Sequence, residues 1–158
     1  MPLVYLSIGS NLGDRKKYIR AALKELENLG QSVRCSHPYR TKPYGFISQP
    51  DFINMACVIT TELSPEVLLT ALQSIENRLE RVHALHWGPR TIDLDIVFYD
   101  CLVLQTDSLT IPHQDMQNRG FVLKPLMDLC PDFVHPVLEK TVRELFEDWI
   151  NISRIKTD

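Results

Sequence analysis

Three observations predict an α+β fold built on an antiparallel sheet. Apolar residues alternate in short β-rich runs, two intervening segments switch to helical spacing, and residues 3–99 read strand, helix, strand, strand, helix, strand. That order is the split arrangement of a ferredoxin-like βαββαβ core, whose helices cover one face of the sheet and leave the other open for a site. A chain of 158 residues suits one domain, so residues 1–158 are read as a single unit whose core needs neither disulfides nor a structural metal.

The first strand is Leu3–Ile8, broken by Gly9-Ser10-Asn11. A helix beginning near Asp14 follows, with Ile19, Leu23, Leu26 and Leu29 on one face and Arg15, Lys16, Lys17, Arg20, Lys24 and Glu25 on the other. Gly30 offers it a left-handed stop. Ser32–Arg40 is the second strand. Thr41–Pro50, with Pro43, Gly45 and Pro50, is an exposed loop of the length that often serves function, and Phe52–Thr61 is the third strand. Ser64-Pro65-Glu66 supplies an N-cap, a first-turn proline and an early acid, opening a helix to about Arg81 that buries Leu68, Leu69, Leu72, Ile75 and Leu79. Gly88-Pro89 keeps residues 83–91 from staying helical, and Ile92–Tyr99 is the fourth strand. A C-terminal extension then holds short strands at Leu102–Leu104 and Leu109–Ile111, a helix over Arg119–Leu129 and a terminal helix over Thr141–Ile150 that packs Val142, Leu145, Phe146 and Trp149.

With 17 Lys+Arg against 20 Asp+Glu the net charge is −3, which argues against a general nucleic-acid or membrane-surface binder, so an anion must be met locally. Cys35, Cys57, Cys101 and Cys130 are far apart in sequence and form no C-x-x-C pair. They read as small apolar fillers in a reduced compartment, not as a zinc knuckle or redox dithiol. The N-terminus lacks a basic start with a long apolar run, and no apolar stretch approaches a membrane span, so a cytoplasmic protein is expected.

The sharpest chemical feature is Asp93-Leu94-Asp95 within a strand. Residues i and i+2 point to the same side, placing two carboxylates within about 7 Å of each other. Mg²⁺ suits such a pair, because it is held by one or two carboxylates plus substrate phosphates; an isolated D-x-D is also the pattern of a solvated strand face. Arg81 and the segment Trp87-Gly88-Pro89-Arg90-Thr91 bring permanent cations beside the acids, as phosphate chemistry requires, although each arginine alone could pair with a surface acid. Gln73 and Glu76 are one helical turn apart, suiting a nucleotide pocket or a polar helix surface. Phe52 and Asn54 share a strand face, an aromatic plate beside an amide that suits a flat heterocycle or ordinary packing. Thr110-Ile111-Pro112-His113 and Asn118-Arg119-Gly120-Phe121 add an imidazole, a guanidinium and a second aromatic. Gly9-Ser10-Asn11-Leu12-Gly13 is neither a phosphate-binding P-loop nor a dinucleotide fingerprint.

Gly9-Ser10-Asn11, Tyr39-Arg40-Thr41, Gln49 to Asn54, Trp87 to Ile96 and Pro112-His113 through Phe121, taken in order, closely resemble the 6-hydroxymethyl-7,8-dihydropterin pyrophosphokinases of folate biosynthesis. The resemblance spans nearly the whole chain. It implies transfer of the β,γ-pyrophosphoryl unit of ATP to the pterin hydroxymethyl group, with release of AMP. By the same resemblance Asp93 and Asp95 hold two Mg²⁺ ions, and Phe52 and Phe121 sandwich the pterin. Asn54 reads the pterin edge with backbone groups around Thr41, Pro43 and Gly45. Arg81 and Arg90 match the catalytic and phosphate-binding arginines, while Gln73, Glu76, Ile96, Thr110, His113 and Arg119 match the nucleotide side. Trp87 matches a loop that closes over the site, and a monomer is expected. The chain departs from the family pattern at His83 and His86, where relatives carry further basic residues, at Gln114 in place of a tyrosine, and at Phe52, which keeps the stacking surface without a phenol. Two other classes remain to be distinguished: a Mg²⁺-dependent nucleotidyl transferase or cyclase, which releases pyrophosphate, and a ligand-sensing or RNA-binding module, which has no use for Asp93, Asp95 and Arg90 together.

Overall fold

The computed structural model describes residues 1–11, 13–41, 51–79 and 92–157. In chain order these form β1 (Leu3–Ser10), α1 (Arg15–Leu26), β2 (Gln31–Cys35), β3 (Tyr39–Thr41), β4 (Phe52–Thr60), α2 (Pro65–Arg78) and β5 (Asp93–Tyr99). There follow a small hairpin, β6 (Leu104–Gln105) and β7 (Thr110–Ile111), a 3-10 turn at Met116–Asn118, α3 (Gly120–Leu129) and α4 (Val142–Thr157). In the main sheet β1 lies between β4 and β5, and β2 and β3 pair in succession with β4, all antiparallel. No described helix is long and apolar enough to cross a membrane.

Both helices start where expected, α2 at its predicted cap and α1 beside Asp14, which proves to be a cap as well. Asp14 Oδ1 accepts from the Lys17 N–H at 3.1 Å and Ser64 Oγ accepts from the Val67 N–H at 3.3 Å, each satisfying an orphan donor of a first turn. The other end of α1 differs from expectation. The helix stops at Leu26, and Gly30 is not left-handed; the positive φ, 54°, falls on Ser32 inside β2, where the register against β4 slips. Gly30 is needed for closeness, because a Cβ there would lie 2.5 Å from the Thr60 carbonyl oxygen. The expected strand Ser32–Arg40 is likewise two strands, β2 and β3. They are separated by Ser36-His37-Pro38, where proline lacks a ladder N–H. Ser36 bridges the break: its N–H donates to the Ala56 carbonyl at 2.8 Å and its hydroxyl accepts from the Ala56 N–H at 2.9 Å. The cysteines are also less scattered than in sequence, since Cys35 of β2 stands opposite Cys57 of β4.

Alternation along the strands builds two cores. Val4, Leu6, Ile8, Ile53, Met55, Cys57, Ile59, Leu94 and Ile96 face α1 and α2, meeting Ile19, Leu26, Leu68, Leu72 and Ile75. Tyr5, Ala56, Val58, Val97 and Phe98 face the other way and are covered by Val122, Leu123 and Leu126 of α3 and Val142 and Leu145 of α4. The face expected to be open is thus closed over half its length by the C-terminal helices. The register of β5 against β1 slips once, between Tyr5↔Phe98 and Leu6↔Ile96, which leaves Val97 as an extra residue. This bulge keeps Asp93 and Asp95 on the side of Ser7 and Gly9 while still turning Phe98 inward, and the Val97 carbonyl accepts the His113 N–H at 3.0 Å.

Two stability results are expected from this packing. A Cβ at Gly120, the first residue of α3, would stand 2.7 Å from Cε2 of the Trp149 ring on α4. Gly120→Ala therefore overpacks the junction of the two covering helices and lowers unfolding free energy by about 1–3 kcal/mol in urea titration; an unchanged midpoint contradicts the packing. His135 is 5% exposed, its Nδ1 accepts the N–H groups of Val137 and Leu138 at 3.1 and 3.0 Å, and burial holds its pKa below the ordinary value. Below about pH 6.5 the unfolded chain takes up a proton that the folded one refuses, so this stability is full above that pH and lost on acidification. Wild type should lose more stability than His135→Gln between about pH 7.5 and about pH 5.5; equal losses contradict the assignment.

Candidate functional site

The uncovered end of the second face gathers the chemistry. Register places Asn54, Gly9 and Asp93 in one row across β4, β1 and β5, with Ser7 and Asp95 in the next row and Thr41 opposite Phe52 at the rim. Strands lie about 4.8 Å apart, so Asn54 and Asp93 sit roughly 10 Å from each other across a shared glycine. The absence of a side chain at Gly9 makes room for the Asn54 amide: a Cβ there would lie 2.6 Å from Asn54 Oδ1 and 3.5 Å from Phe52 Cδ1. Asn54, only 4% exposed, donates from Nδ2 to the Thr41 hydroxyl, which fixes the amide plane beside the half-buried Phe52 ring.

Asp93 and Asp95 are half-buried on the same face of β5, as their spacing predicted. Between them the Leu94 N–H, on the edge strand of the sheet, donates to Glu76 Oε2 at 2.8 Å. Glu76, 3% exposed, reaches this backbone from α2 and sets the height of the strand that carries both acids. Gln73, one turn earlier on α2, is exposed. The Ile96 side chain is buried in the helix-side core, leaving its backbone as the part that can face a ligand.

The third wall comes from the extension. The His113 N–H is bound to Val97, and its Nδ1 accepts the Asp115 N–H at 3.2 Å. Burial, with help from the Arg119 charge, holds His113 below its ordinary pKa, while Asp115 and Asp93 pull the other way. The influence of Asp93 and Arg119 on one imidazole brings β5 and the start of α3 into one electrostatic neighbourhood. Arg119 Nε donates to Asp115 Oδ2 at 3.2 Å, and the guanidinium carbon lies 5.7 Å from the centre of the Phe121 ring, a cation–π contact. Hydrogen bonds from Asn118 and the Arg119 charge keep Asp115 below the ordinary carboxylate range despite partial burial. Thr110 lies on β7, which packs against β5.

Of the expected site residues, Thr41, Phe52, Asn54, Glu76, Asp93, Asp95, Ile96, Thr110, His113, Arg119 and Phe121 thus lie on elements meeting at this end of the sheet. Gln73 is an exposed residue of α2; Pro43, Gly45, Arg81, Trp87 and Arg90, with the variant His83 and His86, lie outside the described residues. Sequence reasoning passed over Asp128. Its carboxylate accepts the His37 N–H at 3.0 Å and the Tyr39 hydroxyl at 2.9 Å, tying the strand that carries Thr41 to the helix that carries Phe121. These partners are 89–91 residues apart, so no local pattern could signal the link.

The residues fit magnesium by the chemistry of their donors. Asp93 and Asp95 on one strand face offer the one or two carboxylates that Mg²⁺ characteristically takes, its remaining positions being filled by water and phosphate oxygens.

Comparison with known proteins identifies the family and the fold. The model of the 7,8-dihydro-6-hydroxymethylpterin-pyrophosphokinase family matches residues 5–131. A 2-amino-4-hydroxy-6-hydroxymethyldihydropteridine pyrophosphokinase of Haemophilus influenzae is 42% identical over 158 residues, covering 99% of this chain and 98% of its own length. The folic acid synthesis protein of Pneumocystis carinii is 47% identical over 145 residues, 91% of this chain but 20% of that protein. The chain thus spans about a fifth of the length of such folic acid synthesis proteins. Among solved structures, the wild-type HPPK-DHPS of Plasmodium falciparum superposes with a TM-score of 0.79 over 98% of this chain and 46% of that one; at 16% identity the likeness concerns the fold.

Proposed function

The chain belongs to the 7,8-dihydro-6-hydroxymethylpterin-pyrophosphokinase family, and from that membership we propose that it transfers the terminal pyrophosphoryl unit of ATP to the hydroxymethyl oxygen of 6-hydroxymethyl-7,8-dihydropterin. The pterin hydroxymethyl oxygen attacks the β-phosphorus and gives up its proton, the bond from the β-phosphorus to the α,β-bridging oxygen breaks, and AMP leaves carrying that oxygen. One observation carries the reading: the row Asn54–Gly9–Asp93 sets an amide, with the Phe52 ring beside it, and paired carboxylates on a single sheet face. The strand order β2-β4-β1-β5 supports assigning a ferredoxin-like core within a single domain over residues 1–158.

Phosphoryl chemistry asks little covalent work of a protein and much positioning. Phe52 and Phe121 stack on the two pterin faces, and Asn54, held by Thr41, reads the edge, so the ring is oriented before ATP is engaged. Asp93 and Asp95 would hold two Mg²⁺ ions, which neutralise the triphosphate and orient it toward the acceptor. Arg119 and His113 line the nucleotide side. His113 offers a neutral ring near pH 7, because burial lowers its pKa. By family resemblance Arg81 and Arg90 serve the phosphates, Gln73 and Thr110 the nucleotide, and Pro43, Gly45 and Trp87 the closing loops. Closure excludes water that would otherwise consume ATP.

Phosphorus NMR of a reaction containing ATP, Mg²⁺ and the pterin tests the reading. AMP with a pterin diphosphate ester is the expected product pair; free pyrophosphate would instead indicate nucleotidyl transfer.

A further inference from the structure

Two cysteines that sequence spacing keeps apart meet across the edge of the sheet. Cys35 ends β2, an edge strand, and is exposed, whereas Cys57 on β4 is fully buried in the helix-side core. The register sets them directly opposite. Opposed residues in an antiparallel pair project to the same face with Cα atoms about 4.5–5.5 Å apart, inside the roughly 4.4–6.8 Å that a disulfide spans. Their side chains are therefore aimed at each other by the backbone itself.

We propose that Cys35 and Cys57 form a peroxide-reactive dithiol that closes to a cross-strand disulfide. The thiols hydrogen-bond, which lowers the Cys35 pKa from its ordinary value and, with burial, raises that of Cys57. The sulfur that ionises more readily is thus the one solvent reaches, the combination that makes a thiol reactive. The Cys35 thiolate attacks hydrogen peroxide, taking one oxygen to become a sulfenic acid and releasing hydroxide. The Cys57 sulfur then displaces the hydroxyl group from Cys35, its proton leaving with that group as water, so one peroxide is reduced to two waters as two thiols are oxidised. Conversion of the Cys35 thiolate to a neutral sulfenic acid also removes the charge that opposed ionisation of Cys57. The disulfide ties β2 to the strand that carries Phe52 and Asn54, next to the Ser36–Pro38 break that leads into β3.

Cys101 is the internal control, since it is the other exposed thiol and lies in the turn after β5, outside any strand pairing. The reduced full chain is treated with hydrogen peroxide, alkylated under denaturing conditions and mapped by peptide mass spectrometry. The expected result is loss of two hydrogens from the intact chain, one linked Cys35–Cys57 peptide pair, Cys101 still alkylated, and reversal by dithiothreitol. In Cys57→Ser, Cys35 accumulates as a sulfenic acid trapped by dimedone. Progress of wild-type Cys35 to the sulfinic acid with Cys57 still alkylatable overturns the proposal, as does oxidation of Cys101 at the same rate as Cys35.

Discussion

Asp95→Asn lowers pterin-dependent AMP release by about 10³-fold or more, the scale seen when a preorganised electrostatic group is removed from a reacting centre. Asp95 shares a strand face with Asp93 and stands opposite Ser7, at the half-open end of the sheet and clear of the apolar packing. The change therefore costs little in folding. Removing one of two neighbouring negative charges offsets the lost interactions, and the urea midpoint should shift by less than about 1 kcal/mol equivalent. Because Asn keeps the shape and loses the charge, a large kinetic loss with an intact fold isolates the charge as the working feature. Near-normal turnover in the folded variant contradicts the role given to the paired acids.

Gly9→Ala acts on the other substrate. The new methyl would sit 2.6 Å from Asn54 Oδ1, so the amide must move, and a flexible side-chain tip can do so without unfolding the strand. Movement breaks the contact to Thr41 and tilts the group that reads the pterin edge. Misplacement on this scale is expected to raise the pterin KM by about a hundredfold while leaving the ATP KM within about threefold. A variant with unchanged pterin KM, or with both KM values raised equally, contradicts the division of the site into a pterin side at β4 and a phosphate side at β5.

Those two residues also mark what can be read from sequence. Asp93 and Asp95 were legible because a strand has period two, and alternation alone says that i and i+2 share a side. The cap Ser64 and the helix start near Asp14 were legible for a similar reason, since capping is a contact with a backbone N–H three residues away. Gly9 was visible as a chain breaker and as part of a family motif; its close approach to Asn54, 45 positions later, depends on the β1–β4 register. The Asp128 link to Tyr39 and the pairing of Cys35 with Cys57 are likewise products of register and topology. The covering of half the second face by α3 and α4 was missed because amphipathic spacing says that a helix buries a face without saying on which side of the sheet. The bulge at Val97 has no compositional mark, yet it lets a strand present acids at one end and core residues at the other on the same side.

The proposed role of this end of the sheet is to join a pterin to a metal-held triphosphate. The direct measurement is the rate of AMP release by the purified chain with ATP, compared with and without the pterin and with Mg²⁺ present or removed by EDTA. AMP should form only when pterin and Mg²⁺ are both supplied, and restoring Mg²⁺ after EDTA should restore it. AMP release at an undiminished rate without pterin, or in excess EDTA, would contradict the claim.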